Sequence, residues 1–233
     1  MKKQAFLVTF VTIYWASFVV AQMVPKDVPP VKPFEQANIR FEQNATDGDV
    51  EVVFEIKGGD DGLNELTVIS PDNRTVINFT APDNSTMGIR QFRLESPEPK
   101  DIDALKAAYP AGVYKLNGTT EDGQKFYSEA KLNHILPPTV SFLQPEEEQE
   151  GVTLHNLEIT WSKVTNIVAY ILELEQDELG INILVRLPSS QNSFKVPDEF
   201  LKAGVEYTLA IGTVAEDDNR SFVETSFTTA DSE

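Results

Sequence analysis

The stretch Val50-Glu51-Val52-Val53-Phe54-Glu55-Ile56-Lys57 sets Val50, Val52, Phe54 and Ile56 against Glu51, Val53, Glu55 and Lys57. A period of two is what a strand needs to bury one face and leave the other in water. Gly58-Gly59-Asp60-Asp61-Gly62 then turns the chain. Working outward, residues 66–69, 76–79 and 90–94 read as further strands, with Ser70-Pro71-Asp72-Asn73 as a turn between the first two. Residues 113–116 and 125–132 flank Thr119-Thr120-Glu121-Asp122-Gly123, a hairpin signal, and Phe126, Ser128, Ala130 and Leu132 share one face of its second arm. One stretch breaks the pattern. Ile102, Leu105 and Tyr109 stand near helical spacing, Asp101 and Asp103 occupy the first turn, and Pro110 ends it, so a short helix is expected over residues 101–109. Strands recurring every ~8–12 residues with turns between them are the rhythm of an all-β sandwich.

Pro137-Pro138 marks a boundary and should stiffen it, since each proline fixes its own φ and restricts the residue before it. Beyond it the acidic run at residues 146–150 reads as a solvated loop, and strand patterns return at residues 157–161, 168–174, 184–187, 207–211 and 222–228. Glu173 and Glu175 put one face of the second of these toward water. Trp161 ends the first strand, and Leu201-x-x-Gly204-x-x-Tyr207 runs into Thr208-Leu209-Ala210-Ile211. Over residues 137–230 the chain resembles the fibronectin type III domain. The resemblance implies that Trp161 fills the gap between two sheets and that Leu201, Gly204 and Tyr207 form the corner before the sixth strand. The physics agrees: a Trp supplies one large apolar body, Gly permits a tight reversal, and a Tyr hydroxyl can return to upstream backbone at such a corner. The Arg-Gly-Asp adhesion tripeptide is absent; the final hairpin reads Glu216-Asp217-Asp218-Asn219-Arg220. The first half resembles an uncharacterised type of exported bacterial β-domain, through Glu95-Ser96-Pro97-Glu98-Pro99, residues 111–119 and residues 132–137. That resemblance carries no activity.

Lys2 and Lys3 precede an apolar run over residues 5–20 that closes on Val19-Val20-Ala21-Gln22. This is the layout of a secretory signal peptide cut after Ala21. At about 16 residues, with Thr9, Thr12 and Ser17 inside it, the run is short for a membrane anchor of ~20. A Pro-rich, extended and poorly hydrogen-bonded lead-in, residues 22–33, should follow. The chain of 233 residues carries a formal charge of −18, which becomes −20 when Lys2 and Lys3 leave with the signal. Such a charge argues against nucleic acid, whose phosphates need a basic face. An acidic surface also repels anionic polymers and membranes. The absence of cysteine removes disulfides, thiolate metal sites and cysteine nucleophiles, and fits bacterial export better than animal secretion.

No Gly-x-Ser-x-Gly elbow and no phosphate-cradling glycine loop with its Lys-Ser/Thr pair occurs. His134 and His155 stand apart and outside any His-Glu-x-x-His pattern, so structural or surface roles are expected for both. The acidic turns Asp47-Gly48-Asp49, Asp60-Asp61-Gly62 and Glu216-Asp217-Asp218 offer hard oxygen ligands that suit calcium. They are also what exposed turns look like, and calcium is not favoured. Six Asn-x-Ser/Thr patterns, at Asn44, Asn73, Asn78, Asn84, Asn117 and Asn219, are read as either glycan acceptors or turn chemistry.

The expected fold is all-β: two tandem immunoglobulin-like sandwiches, residues 34–136 and 137–230, with one short helix in the first. The expected function is binding or structural, without turnover, cofactor or metal, in the periplasm, cell envelope or extracellular space. The partner would be an unknown protein or envelope component. The alternative is an accessory module that positions a partner in a cell-surface or polysaccharide-degrading assembly. The contact candidate is the final hairpin, Glu216, Asp217, Asp218 and Arg220, since sandwiches present loops on a rigid frame.

Overall fold

A computed structural model describes residues 30–81, 83 and 87–231. The expected signal peptide, most of the Pro-rich lead-in and Asn84 lie outside the described residues. The first half contains β1 (Gln36–Asn44), β2 (Asp49–Lys57), β3 (Leu63–Ile69), β4 (Thr75–Thr80), β5 (Gln91–Glu95), α1 (Ile102–Ala108), β6 (Gly112–Thr120) and β7 (Lys125–Leu132). The second contains β8 (Phe142–Gln144), β9 (Gln149–Val152), β10 (Glu158–Trp161), β11 (Ala169–Gln176), β12 (Ile181–Pro188), β13 (Ser193–Lys195), β14 (Glu206–Val214) and β15 (Arg220–Thr229).

Alternation sets the first core. Phe41, Val52, Phe54 and Ile56 from β1 and β2 meet Leu66, Val68, Tyr114, Leu116 and Leu132 from the facing sheet β4-β3-β6-β7. The helix α1 lies within that half and buries Leu105. Asp101 caps it by accepting the Asp103 and Ala104 N–H groups, two donors that the first turn cannot satisfy itself. A second core lies between the sheet β13-β10-β8 and strands β12, β11, β14 and β15, and is built on Trp161, Tyr170, Leu172, Tyr207, Leu209, Ile211 and Phe227. The fold is therefore an all-β double sandwich, and the second half has the three-against-four strand order of a fibronectin type III-like domain.

The two halves are not merely tethered. β1 pairs in parallel with β15, with Glu42 opposite Arg220, Gln43 opposite Ser221 and Asn44 opposite Phe222. One sheet therefore crosses the whole molecule in the order β12-β11-β14-β15-β1-β2-β5, and β9 adds to the far stretch of β15. Periodicity alone gave no sign of this pairing.

Three local expectations are corrected. The end of the lead-in is hydrogen-bonded, because Lys32 N–H donates to Lys125 O and Lys32 O accepts from Tyr127 N–H, both at 2.9 Å. The acidic run at residues 146–150 is not wholly a loop: Glu148 N–H donates to Ser226 O at 3.0 Å, and Gln149 opens β9 beside β15. Nor does the outer face of β11 simply see water. Ala169 and Ile171 are buried there with Val214 in a small third cluster, against which Phe222 packs.

Candidate functional site

The joint gathers several of the polar side chains buried among the described residues, Arg40, Thr213, Asn219 and Ser221. On the core side, Asn219 is 1% exposed. Its Oδ1 accepts the Phe41 N–H at 2.7 Å, and its Nδ2 donates to Asn133 O at 3.2 Å and Ile135 O at 2.9 Å. The Ser221 hydroxyl donates to Pro137 O at 2.7 Å, and Thr213 to Pro138 O at 2.8 Å. Backbone that the two prolines leave without ladder partners is thus held by side chains of β14 and β15. Thr46, just past β1, accepts the Glu224 N–H at 2.8 Å and Ala45 N–H donates to Phe222 O at 2.8 Å. His134 sits in the same joint, bonded to Tyr109 O at 2.9 Å and packed on the Phe41 ring.

The outer face of the shared sheet is ionic. Arg40, fully buried, pairs with Glu42 at 2.6 Å and Glu55 at 3.1 Å. Arg93 reaches Glu55 at 2.9 Å, and Arg220 reaches Asp218 at 3.2 Å and Glu42 at 3.7 Å. Burial opposes ionisation of Glu55 most strongly of any single cause, but Arg40, Arg220 and Arg93 together outweigh it and hold the carboxyl below its usual range. Next to this network lies a cleft of about 250 Å³, lined by Glu42, Asp49, Glu51, Glu98, Glu173 and Glu224 among others. Burial and the neighbouring Glu95, Glu42 and Glu98 push Glu51 up to about 7. Burial, with Glu175 and Glu42, also raises Glu173. The chemistry offered is that of a partly desolvated acidic surface, suited to cations.

The hairpin 216–220 is turned toward the first half. Asp217 accepts a hydrogen bond from Asn133 Nδ2, Asp218 and Arg220 pair with each other, and Arg220 continues to Glu42. Glu216 is exposed. Asn219, one of the six glycan patterns, has its amide committed to the joint, whereas Asn73, Asn78 and Asn117 are exposed.

Trp161 is fully buried, edge-on to Tyr170 at 5.4 Å between ring centres. Tyr207 Oη donates to Phe200 O and accepts the Lys202 N–H, both at 2.9 Å, while its ring stacks on Phe227. Gly204 has φ +65°, a conformation that a Cβ disfavours, and Leu201 is buried below it. His155 is exposed and bonded to Asp198 at 3.0 Å. The turn at Asp60 and Asp61 shares a shallow cavity with Glu121 and Asp122. Among the described residues no group of three or more His, Asp or Glu is arranged to hold a metal ion, and no helix is long and apolar enough to cross a membrane.

Sequence reasoning missed Arg40 and Asn219. Arg40 alternates with Ile39 and Phe41 and so reads as solvent-facing, and Asn219 sits in what reads as an open turn. Neither carries a local signal of burial.

No family model and no curated protein matches the chain. Among solved structures it is similar to the fibronectin(III)-like modules of Clostridium thermocellum CbhA, at 14% identity over 85% of this chain and 93% of that one, with TM-score 0.36. It is also similar to a segment of two fibronectin type III domains from chicken tenascin (13%, 84% and 99%, TM-score 0.31) and to the FN1–FN3 domains of chicken CNTN1 (13%, 87% and 67%, TM-score 0.31).

Proposed function

We propose that the chain is an exported, non-catalytic module that holds two sandwiches at a fixed angle and acts by binding or by spacing a partner. The observation that carries this reading is the parallel pairing of β1 with β15, which makes one sheet of both halves. An ordinary interdomain contact leaves relative motion as the default. A hydrogen-bonded ladder reinforced by Asn219, Ser221 and Thr213 does not. A fixed angle serves a protein that sets the distance and orientation of a partner. It supports equally the alternative of an accessory module in a cell-surface or polysaccharide-degrading assembly.

Export rests on residues 1–21, and the working surface is acidic. A partner should therefore be cationic, and its on-rate should fall with added salt. In this reading Asp217, Asp218 and Arg220 lock the joint, and Glu216 is the charge the hairpin leaves to solution. Intact-mass measurement after cell fractionation tests export: a chain beginning at Gln22 outside the cytoplasm is expected, and a retained Met1 overturns it. Capture of envelope proteins, set beside a glycan array, separates the two roles. A protein partner lost on neutralising Glu216, Asp217 and Asp218 together returns the hairpin to the contact surface. A partner retained by that variant moves the contact to the outer sheet face.

A further inference from the structure

The described sheets present seven edges, counting four-residue β9 with its irregular pairing to β15, and six of them are short or blunted. β13 and β8 are three residues long. β5 has five residues, carries Arg93 and Glu95 and runs into Pro97. β7 has Lys32 hydrogen-bonded along its outer side. β4 has six residues, and its pairing with β3 slips at Ile69. β12 is blunted only by Arg186 and by Pro188 at its last position. It has eight residues, Ile181-Asn182-Ile183-Leu184-Val185-Arg186-Leu187-Pro188, and keeps unbroken register with β11 from end to end. It holds no Lys, no acid and no proline before its last position, and Leu184 at its middle is 65% exposed. Alternate N–H and C=O groups of such an edge face away from β11, a template for another strand.

We propose that β12 is a homotypic pairing edge: a second copy of this chain adds its own β12 antiparallel about Leu184, joining the long sheets of two molecules. The strand is self-complementary in that register. Ile183 lies opposite Val185 of the second copy and Ile181 opposite its Leu187. Ile181, Ile183 and Val185, only half-buried against the second core, thereby gain apolar neighbours. On the other face Asn182 lies opposite Arg186 of the second copy. In the free chain Arg186 forms no ion pair among the described residues, whereas Asn182 stands beside Glu175 and donates to it. Pairing thus brings an unpaired cation into a row that ends in a carboxylate. The acidic turn at Asp177 and Glu178 falls near Ser190 and Gln191 of the second copy, which are uncharged. A parallel arrangement would instead bring acidic turn against acidic turn. The overall negative charge opposes association, so pairing should strengthen as salt is added.

The chain has no cysteine, which permits a direct test of register. Residues directly opposite in an antiparallel pair lie ~4.5–5.5 Å apart between Cα atoms, within disulfide range. Leu184→Cys should cross-link to itself under mild oxidation at least about tenfold faster than a control cysteine placed at exposed Glu216. Sedimentation of the unaltered protein should show a concentration-dependent dimer. Leu184→Lys, which sets two charges face to face, should weaken that dimer about tenfold or more while leaving the melting temperature in place. Equal cross-linking of the two cysteine variants overturns the proposal. So does a monomer up to ~1 mM. Capture of a different protein's strand by β12, blocked by Leu184→Lys, with no self-association, overturns it as well.

Discussion

Tyr207 and Trp161 show how much one side chain decides. Tyr207→Phe leaves Phe200 O and the Lys202 N–H without their partner inside the corner, and should cost about 1–3 kcal/mol in a urea unfolding experiment. Trp161→Ala removes a fully buried side chain from the second core and should cost about 3–5 kcal/mol by transfer loss and cavity formation. Unchanged stability in the second variant would remove Trp161 from the core's support. Glu51 supplies a pH dependence of opposite sense to an ordinary paired carboxylate. Its folded-state value of about 7 lies above the ordinary carboxyl value of 4.5. The folded state therefore holds its proton more tightly than the unfolded chain does. The penalty is absent below 4.5, grows as pH rises, and is complete above 7. Glu51→Gln should stabilise the protein by about 1 kcal/mol at pH 8, after allowance for solvent screening, and by nothing at pH 4. A gain that is the same at both pH values would show that the carboxyl is not perturbed. Residues of this kind divide in legibility. Trp161 and Tyr207 carry their environment in their chemistry, as large aromatics in a strand pattern. Arg40, Asn219 and Glu51 do not, because their burial comes from strands far away in sequence.

At the scale of elements, local rules did most of the work. The helix was legible because Asp101 can cap it and Pro110 must end it, and α1 runs within those bounds. The strands of the first half were legible from alternation where one face is buried, as in β2 and β7. The pairing of β1 with β15 was not, since Phe41 and Asn219 are 178 positions apart and period-two patterning carries no record of which strand lies alongside. β9 was hidden for a different reason: three glutamates lead into it and a fourth is its second residue, and charge density masked an edge strand. Asn219 tests whether the joint ladder depends on its side-chain support. Asn219→Ala leaves the buried Phe41 N–H without an acceptor and frees the Asn133 and Ile135 carbonyls. The expected cost is about 1–3 kcal/mol, with faster amide exchange at Phe41 and Ala45 and little change at Leu116 in the first core. Exchange raised uniformly through both cores would mean that the joint is not a separate local unit.

For the whole molecule, two hydrophobic cores are joined by a strip of polar contacts. Sequence reading reached the two sandwiches through their turns, Pro137-Pro138 and the Trp161 and Tyr207 pattern, but described the joint as a stiff linker. In the folded protein Pro137 and Pro138 contribute carbonyl acceptors, while stiffness comes from strands on either side. The most direct measurement is backbone ¹⁵N relaxation on the protein in solution, comparing amides in β2 and β6 with those in β11 and β14. A shared sheet requires one overall correlation time and one diffusion tensor for both sets. Two separable correlation times, one for each half, would contradict a joint locked by β1 and β15.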